Sequence, residues 1–120
     1  MKVVVTAGGP GLEERFDTRF GRAAYFIVCD LENDSWESHP NTQNLEAAQG
    51  AGIQAAQSVQ RLGASALITG HVGPKAFKVL DANAVKIFSA TAQTVGEALS
   101  AYKNGLLSQM AAPDVEGHWV

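Results

Sequence analysis

The sequence predicts one α/β domain of three layers, α/β/α, around a mixed sheet of five strands. In the second half of the chain, strand-like and helix-like segments alternate, which is typical of right-handed parallel crossovers with helices on both faces of a sheet. In the first half, a run rich in β-branched and aromatic residues is followed by a turn and a short second strand, the pattern of a hairpin. A hairpin beside parallel strands makes the sheet mixed. The 120 residues are enough for one hydrophobic core and too few for two.

The first three strands come from the first third of the chain. The segment 2–6 is short and rich in β-branched residues, as in a central strand that is buried on both faces. A glycine-rich turn at 8–11 and a polar stretch at 13–22 follow this strand. A longer strand is predicted over 23–31, with a short antiparallel partner over 35–38.

The first helix follows a loop predicted at residues 39–44. It is predicted to begin between Asn44 and Gly52 and to end at Leu62, where Gly63 follows as a C′ glycine. Its apolar residues recur at helical spacing: Ile53, Ala56, Val59 and Leu62.

The rest of the domain is predicted as two further strand–helix units. A strand over 66–69 leads to a helix over 74–82, in which Pro74 suits the first helical position. A strand over 85–89 leads to the last helix, where Thr94 and Glu97 form a capping box and Gly105 follows the end. Residues 1–107 are therefore predicted as a single binding domain and residues 108–120 as a C-terminal tail.

Composition and charge exclude several classes of protein. The formal charge of −3 argues against a dedicated nucleic-acid-binding protein, which usually carries a basic stripe. No apolar run approaches the ~20 residues of a membrane span, and the N-terminus lacks the pattern of a signal peptide. We therefore expect a cytoplasmic protein with no membrane partner. Cys29, the only cysteine, is predicted to be a small buried core residue.

A candidate binding site is predicted at the carboxyl ends of the parallel strands, where ligand-binding loops meet in sheets of this kind. The helix that begins at Pro74 presents free N–H groups and the positive end of its dipole there, which favours an anion. The candidate binding residues are Arg19, Gly21, Arg22, Gly50, Gly52, Gly70, Gly73 and Lys75, and the candidate metal ligands are His71 and His39. A structural interpretation also fits, since Gly70 and Gly73 suit a tight turn and Arg22 suits a surface ion pair.

The motifs of common enzyme families are absent from the sequence. The turn at 8–11 lacks the Lys-Ser/Thr of a phosphate-binding P-loop, and there is no Gly-x-Ser-x-Gly or His-Glu-x-x-His. The first strand carries no carboxylate that could hold the divalent ions of a nuclease. Nuclease activity is therefore not expected.

Four segments resemble a known family in order and spacing. They are residues 19–26 (RFGRAAYF), 50–52 (GAG), 69–77 (TGHVGPKAF) and 94–99 (TVGEAL). Together they resemble the dinitrogenase iron–molybdenum cofactor biosynthesis family, which includes cofactor carriers of nitrogen fixation and small stand-alone proteins of anaerobes. The resemblance implies a ribonuclease-H-like α/β/α fold and a role in binding or carrying metal–sulfur clusters, usually without catalysis.

The resemblance also implies a cargo and partners. The expected cargo is an anionic molybdenum-containing sulfide cluster, of Mo–Cu or Fe–Mo type, and the expected partners are other proteins of a cofactor-assembly complex. Many members have a cysteine directly after the residue that matches His71, whereas this chain has Val72. That difference favours non-covalent holding of the cluster, with His71 as the candidate for a direct bond. The first alternative is a protein–protein adaptor whose pocket is vestigial. The second is an enzyme that acts on an anionic metabolite.

Overall fold

In the computed structural model, which describes residues 1–41 and 50–113, six strands form one mixed sheet flanked by three helices. The strands are β1 (Lys2–Ala7), β2 (Tyr25–Asp30), β3 (Ser35–Pro40), β4 (Ala66–Thr69), β5 (Lys86–Ser89) and β6 (Ser108–Gln109). The helices are α1 (Ala51–Arg61), α2 (Pro74–Ala82) and α3 (Val95–Lys103). The strand order is β3-β2-β1-β4-β5-β6. β1, β4 and β5 run parallel, and the other neighbours are antiparallel.

The sheet separates two layers of core because successive side chains of a strand point to opposite faces. On one face Val4, Phe26 and Leu67 pack with residues of α1 and α2. On the other face Val5 and Ile68 pack with residues of α3. The predicted three-layer α/β/α architecture is therefore confirmed.

The predicted number of strands is wrong, since the sheet has six and not five. The sixth strand, β6, lies in the segment predicted as a tail and pairs antiparallel with β5. Two residues are too few for a period-2 pattern, so no sequence signal distinguishes them from a tail. The predicted loop at 39–44 also begins too early, because His39 and Pro40 belong to β3. Proline is tolerated there because β3 is an edge strand.

The predicted helix ends agree with the structure to within one residue: α1 ends at Arg61, and Leu62, its predicted last residue, is the C-cap. Pro74 is the first residue of α2, and the backbone N–H of Glu97 donates to the Thr94 hydroxyl at 3.2 Å at the start of α3. Gly63 and Gly105 follow α1 and α3 with φ of 80° and 70°. Within the described part of the chain α1 begins at Ala51, and residues 44–49 of the predicted start interval lie outside the described residues.

Cys29 is a core residue, as predicted, with 2% of its surface exposed. Burial disfavours its thiolate and raises the pKa of the thiol to about 11. Cys29 pairs with Val3 near the start of β1, so it lies far from the end of that strand. No helix in residues 1–41 and 50–113 is long and apolar enough to cross a membrane.

Candidate functional site

The parallel strands β1, β4 and β5 end at the same edge of the sheet, at Ala7, Thr69 and Ser89. We call the loops that follow them the rim: the first loop is 8–24, the second is 70–73 and the third is 90–94. The predicted site depends on whether these loops meet.

The first and third loops are joined by backbone hydrogen bonds. The N–H of Phe16 donates to the carbonyl of Gln93 at 3.0 Å, and the N–H of Val95 donates to the carbonyl of Glu14, also at 3.0 Å. The N–H of Gly96 at the start of α3 donates to the carbonyl of Leu12 at 2.8 Å. The first loop is thus fixed along the third loop and the start of α3.

The first loop also pairs with the second. The N–H of His71 donates to the carbonyl of Thr18 at 2.7 Å, and the N–H of Phe20 donates to the carbonyl of His71 at 3.3 Å. These bonds make Arg19 and His71 partners in a parallel bridge. The predicted convergence of the three loops is therefore present in the structure, and the first loop lies between the other two.

Gly70 lets the first and second loops come close. A Cβ at this position would lie 2.5 Å from the Cβ of Thr18 and 2.7 Å from its carbonyl oxygen. No side chain fits without moving the first loop, so Gly70 serves the packing of one loop on another. This observation favours the structural interpretation of Gly70.

The start of α1 reaches the rim through a second close approach. Gly21 lies in a short 3-10 turn, Phe20–Arg22, and a Cβ built on it would be 3.0 Å from the backbone nitrogen of Gly52. Gly52 is buried in the first turn of α1, and Gly50 precedes that helix with φ of 76°. Three of the predicted glycines therefore place the N-terminus of α1 beside the first loop.

At two helix N-termini at the rim, the side chain of the N-cap residue makes no capping hydrogen bond. α1 follows Gly50 and α2 follows Gly73, and glycine has no side chain to accept a bond. In α2, Pro74 has no N–H and the first helical bond runs from Phe77 to the carbonyl of Gly73, at 3.0 Å. Lys75 and Ala76 therefore have no helical acceptor for their N–H groups. By contrast, α3 is capped by Thr94.

Asp17 is a buried carboxylate, 1% exposed, that organises the first loop. It accepts a bond from the backbone N–H of Arg19 at 2.9 Å and two from the Arg19 guanidinium at 3.2 Å. Arg15 lies 3.6 Å from the same carboxylate. These bonds raise the pKa of Arg19. Two cations thus share one anion, which leaves one net positive charge in this group.

Beneath the rim, two threonines connect the first loop to the sheet. The buried hydroxyl of Thr6 lies 2.5 Å from the carbonyl oxygen of Asp17 and 2.9 Å from the hydroxyl of Thr69. The backbone N–H of Asp17 donates in turn to the carbonyl of Thr6 at 3.1 Å. The ends of β1 and β4 therefore support the loop that carries Arg19.

The structure brings together most, but not all, of the predicted site residues. His71 on the second loop and Lys75 at the start of α2 are both exposed. Arg22 is half-buried in the 3-10 turn. His39 is elsewhere, on β3, and lies 3.5 Å from Glu37. β2 and β1 lie between β3 and β4 in the sheet. Neighbouring strands are about 4.8 Å apart, so His39 and His71 are too far from each other to bind the same metal ion.

Metal-ligating side chains do not cluster in the described ranges. No group of three or more His, Cys, Asp or Glu residues within 1–41 and 50–113 is placed to hold a metal ion. Val72, the residue directly after His71, is fully buried in the core. Beside the exposed carboxylates of Glu13 and Glu14, the rim carries exposed cations, one imidazole and backbone N–H groups, and these last three suit an anion.

The sequence interpretation missed the residues that hold the rim together. Asp17 was not among the predicted site residues, although it is buried and organises the first loop. Thr6, Thr18 and Thr69 were not singled out as contacts. A signal for Asp17 existed, because an Asp two residues before a backbone donor is typical of an Asx turn. The threonine contacts have no such local signal, since Thr6 and Thr69 are 63 residues apart.

The fold and the rim together define a small α/β protein in which three loops and two helix N-termini meet at one edge of the sheet. The sequence identifies the family: the chain belongs to the dinitrogenase iron–molybdenum cofactor family, whose model matches residues 1–105. It is similar to the apo form of the orange protein from Desulfovibrio gigas, with 40% identity and a TM-score of 0.92. That alignment covers 95% of this chain and 96% of the other.

Two further proteins extend the comparison. The NMR structure of a Thermotoga protein proposed to be a NifB protein is 34% identical, with a TM-score of 0.84 and 97% and 98% of the two chains covered. An uncharacterized protein of Methanocaldococcus jannaschii is 24% identical over 97 residues, which are 79% of this chain and 82% of that protein. The predicted family and fold class are thereby confirmed.

Proposed function

We propose that this protein binds and carries an anionic molybdenum-containing metal–sulfur cluster at the rim, without catalysing a reaction on it. Membership of the iron–molybdenum cofactor family supports a cluster of this class. The observation that carries the proposal is the meeting of three loops and two uncapped helix N-termini at one edge of the sheet. Each contributes N–H groups or cations, and none contributes a cysteine.

The chemistry of the cargo fits these donors. A thiometallate cluster is negatively charged and already contains its sulfides, so the protein does not need to supply thiolates. It needs N–H donors, positive charge and an exposed surface. The N–H groups of Lys75 and Ala76 at the start of α2, with the dipole of that helix, supply the first requirement. Lys75, Arg22 and the net positive Asp17 group supply the second.

His71 is the proposed direct ligand. Its backbone N–H and carbonyl are both used in the bridge to the first loop, so its backbone position is fixed. Its side chain is exposed at the end of the second loop, two residues before the N-cap of α2. Neutral imidazole is a common ligand of soft and borderline metals, including copper and iron. His39 and Cys29 lie outside this proposed site.

The proposal is tested by adding tetrathiomolybdate to the apo-protein, with and without copper(I) or iron(II), and recording the visible spectrum. We expect saturable uptake at a fixed ratio of metal to protein. The double variant Lys75→Glu/Arg22→Glu should weaken uptake by about tenfold or more, which corresponds to about 1.4 kcal/mol. His71→Ala should change the spectrum of the bound metal.

A matched control keeps the total charge change the same. Lys2 and Lys86 are exposed at the starts of β1 and β5, at the opposite end of the sheet from the rim. The double variant Lys2→Glu/Lys86→Glu should bind like the unchanged protein. Equal loss in both double variants would show attraction by net charge alone. Unchanged uptake in the rim variant and in His71→Ala would exclude the proposed site.

A further inference from the structure

The strand β3 forms an open edge of the sheet. Among the described residues it pairs with β2 on one side only, and its six residues make it much longer than β6, which has two and forms the other edge. Trp36 on β3 is 45% exposed, one of three large hydrophobic residues exposed in the described part of the chain. A long edge strand presents a row of backbone N–H and C=O groups with which another chain can pair.

The backbone bonds of β3 show which groups point outward. The N–H of Asn41, just after β3, donates to the carbonyl of Ala24 and therefore points to the β2 side. In an antiparallel strand, the backbone N–H and C=O groups of successive residues point alternately to one neighbouring side and to the other. Ser35, Glu37 and His39 thus direct their backbone groups to β2. The backbone groups of Trp36, Ser38 and Pro40 point to the open edge.

The side chains of β3 divide between the two faces of the sheet. Glu37 and His39 are register partners of Val28 and Phe26, so they lie on the face covered by α1 and α2. Three side chains lie on the face of α3: Trp36, Ser38 and Pro40. One face of the edge is therefore polar, and the other is apolar at both ends.

Two copies of β3 can pair antiparallel only if outward-directed residues meet outward-directed residues. Glu37 and Ser38 are the two middle residues of β3. Only a two-fold axis that passes through one of them lets most of β3 pair with β3 of the second copy. An axis at Glu37 places two glutamates opposite each other, which is unfavourable. An axis at Ser38 places Glu37 opposite His39 of the second copy and Trp36 opposite Pro40 of the second copy. The second arrangement is complementary on both faces.

We propose that this protein forms a symmetric dimer through β3, with the two-fold axis at Ser38, so that two six-stranded sheets become one. The pairing forms four backbone bonds, two between the Ser38 residues and two from Trp36 to the carbonyl of Pro40. Pro40 has no N–H, so the two reciprocal bonds are not formed. The contact is one strand wide and smaller than a standard interface, so the dimer is weak and reversible.

The Ser38→Pro variant tests the pairing. The N–H of Ser38 is directed away from β2, so proline at 38 removes no bond within the chain but removes both central bonds of the dimer. Sedimentation of the unchanged protein from about 10 μM to about 1 mM, the range of weak interfaces, should show a monomer–dimer equilibrium. Ser38→Pro should raise its dissociation constant by about tenfold or more. A circular dichroism spectrum and an unfolding curve confirm that the variant folds.

Two further variants test the register. Ser38→Cys should form an intermolecular disulfide on mild oxidation, since Cα atoms of such a pair are about 5.5 Å apart. Ser100→Cys, exposed on α3, is the control, and the native Cys29 is buried. His39→Glu should weaken the dimer, and adding Glu37→His in the same chain should restore it.

Three results would overturn the proposal. One is a monomer at all concentrations. Another is a dimer that Ser38→Pro leaves unchanged. The third is cross-linking of Ser38→Cys no faster than that of Ser100→Cys. A dimer that responds to Ser38→Pro but not to the exchange of Glu37 and His39 would overturn the register.

Discussion

Arg19 and His71 are partners in a two-bond parallel bridge that joins the loop after β1 to the loop after β4. Residues opposite each other in such a bridge direct their side chains to the same face of the ladder. The guanidinium of Arg19 is held by the buried carboxylate of Asp17. A fixed cation is thus placed on the same side as an exposed imidazole, at the edge where α2 begins.

Gly70→Ala should destabilise the protein, because the new Cβ would lie 2.5 Å from the Cβ of Thr18. Overpacking of this kind costs about 1–3 kcal/mol in the free energy of unfolding, and it should move the first loop away from the second. Gly11→Ala is the matched control, since its nearest atom would be 3.8 Å away. Urea unfolding measures both. Equal stability of the two variants would contradict the described loop contact.

Asp17→Asn should lower the free energy of unfolding by about 1–3 kcal/mol, because a buried group that accepts charged hydrogen bonds loses its charge. The control is Asp34→Asn. Asp34 is 92% exposed and lies 3.7 Å from Lys103, so its loss should cost less than about 1 kcal/mol. Both are read from urea midpoints. A larger effect at Asp34 would show that Asp17 does not organise the loop.

Cys29 should make stability fall at alkaline pH. Its pKa is raised from 9.0 to about 11 in the folded state, so the unfolded chain loses the thiol proton first. The contribution of the buried thiol to the free energy of unfolding is complete below pH 9. It is lost as the pH rises towards 11, by up to about 1.4 kcal/mol per pH unit.

The Cys29→Ala variant isolates this contribution from other groups that titrate in the same range, including Tyr102, whose pKa is also raised by burial. The free energy of unfolding, compared between the two proteins from pH 8 to pH 11, should decline more steeply when Cys29 is present. In addition, a thiol reagent at pH 8 should modify Cys29 slowly in the folded protein and rapidly in urea. Parallel curves together with rapid modification would place Cys29 at the surface.

Thr94→Ala should destabilise α3 by about 1 kcal/mol, because the hydroxyl of Thr94 accepts the N–H of Glu97 at the helix start. Thr91→Ala, at an exposed position of the same loop, should change stability by much less. Thermal unfolding compares the pair. If Thr91→Ala costs as much, the capping bond is not the source of the effect.

Local patterns predicted the elements that local physics determines. Pro74 at the start of α2, the Thr94 cap and Gly63 after α1 each act through a few neighbouring backbone groups, and all three are where the sequence places them. β6 and the end of β3 were not predicted, because their strand character comes only from pairing with β5 and β2. Neither has a period-2 pattern of its own.

The candidate site divides in the same way. The sequence indicated that loops after three strands would meet, and it identified the exposed His71 and Lys75 beside a helix start. It did not separate His39 from His71, because that separation depends on two strands lying between them. It also gave the glycines a role at the ligand, whereas Gly70 and Gly21 approach other backbone segments.

By itself, the sequence determined the fold class, the starts of α2 and α3 and the charged residues of the rim, because hydrophobic period, capping and charge are local properties. The family came from the resemblance of four sequence segments and not from these properties. Only the tertiary structure decided that Asp17 is buried beside two arginines, that Thr6 bonds to Thr69 and that β3 lies at an edge of the sheet formed by the described residues. Each of these depends on segments that are distant in the chain and become neighbours only when the sheet forms. No local pattern records which strand lies beside which.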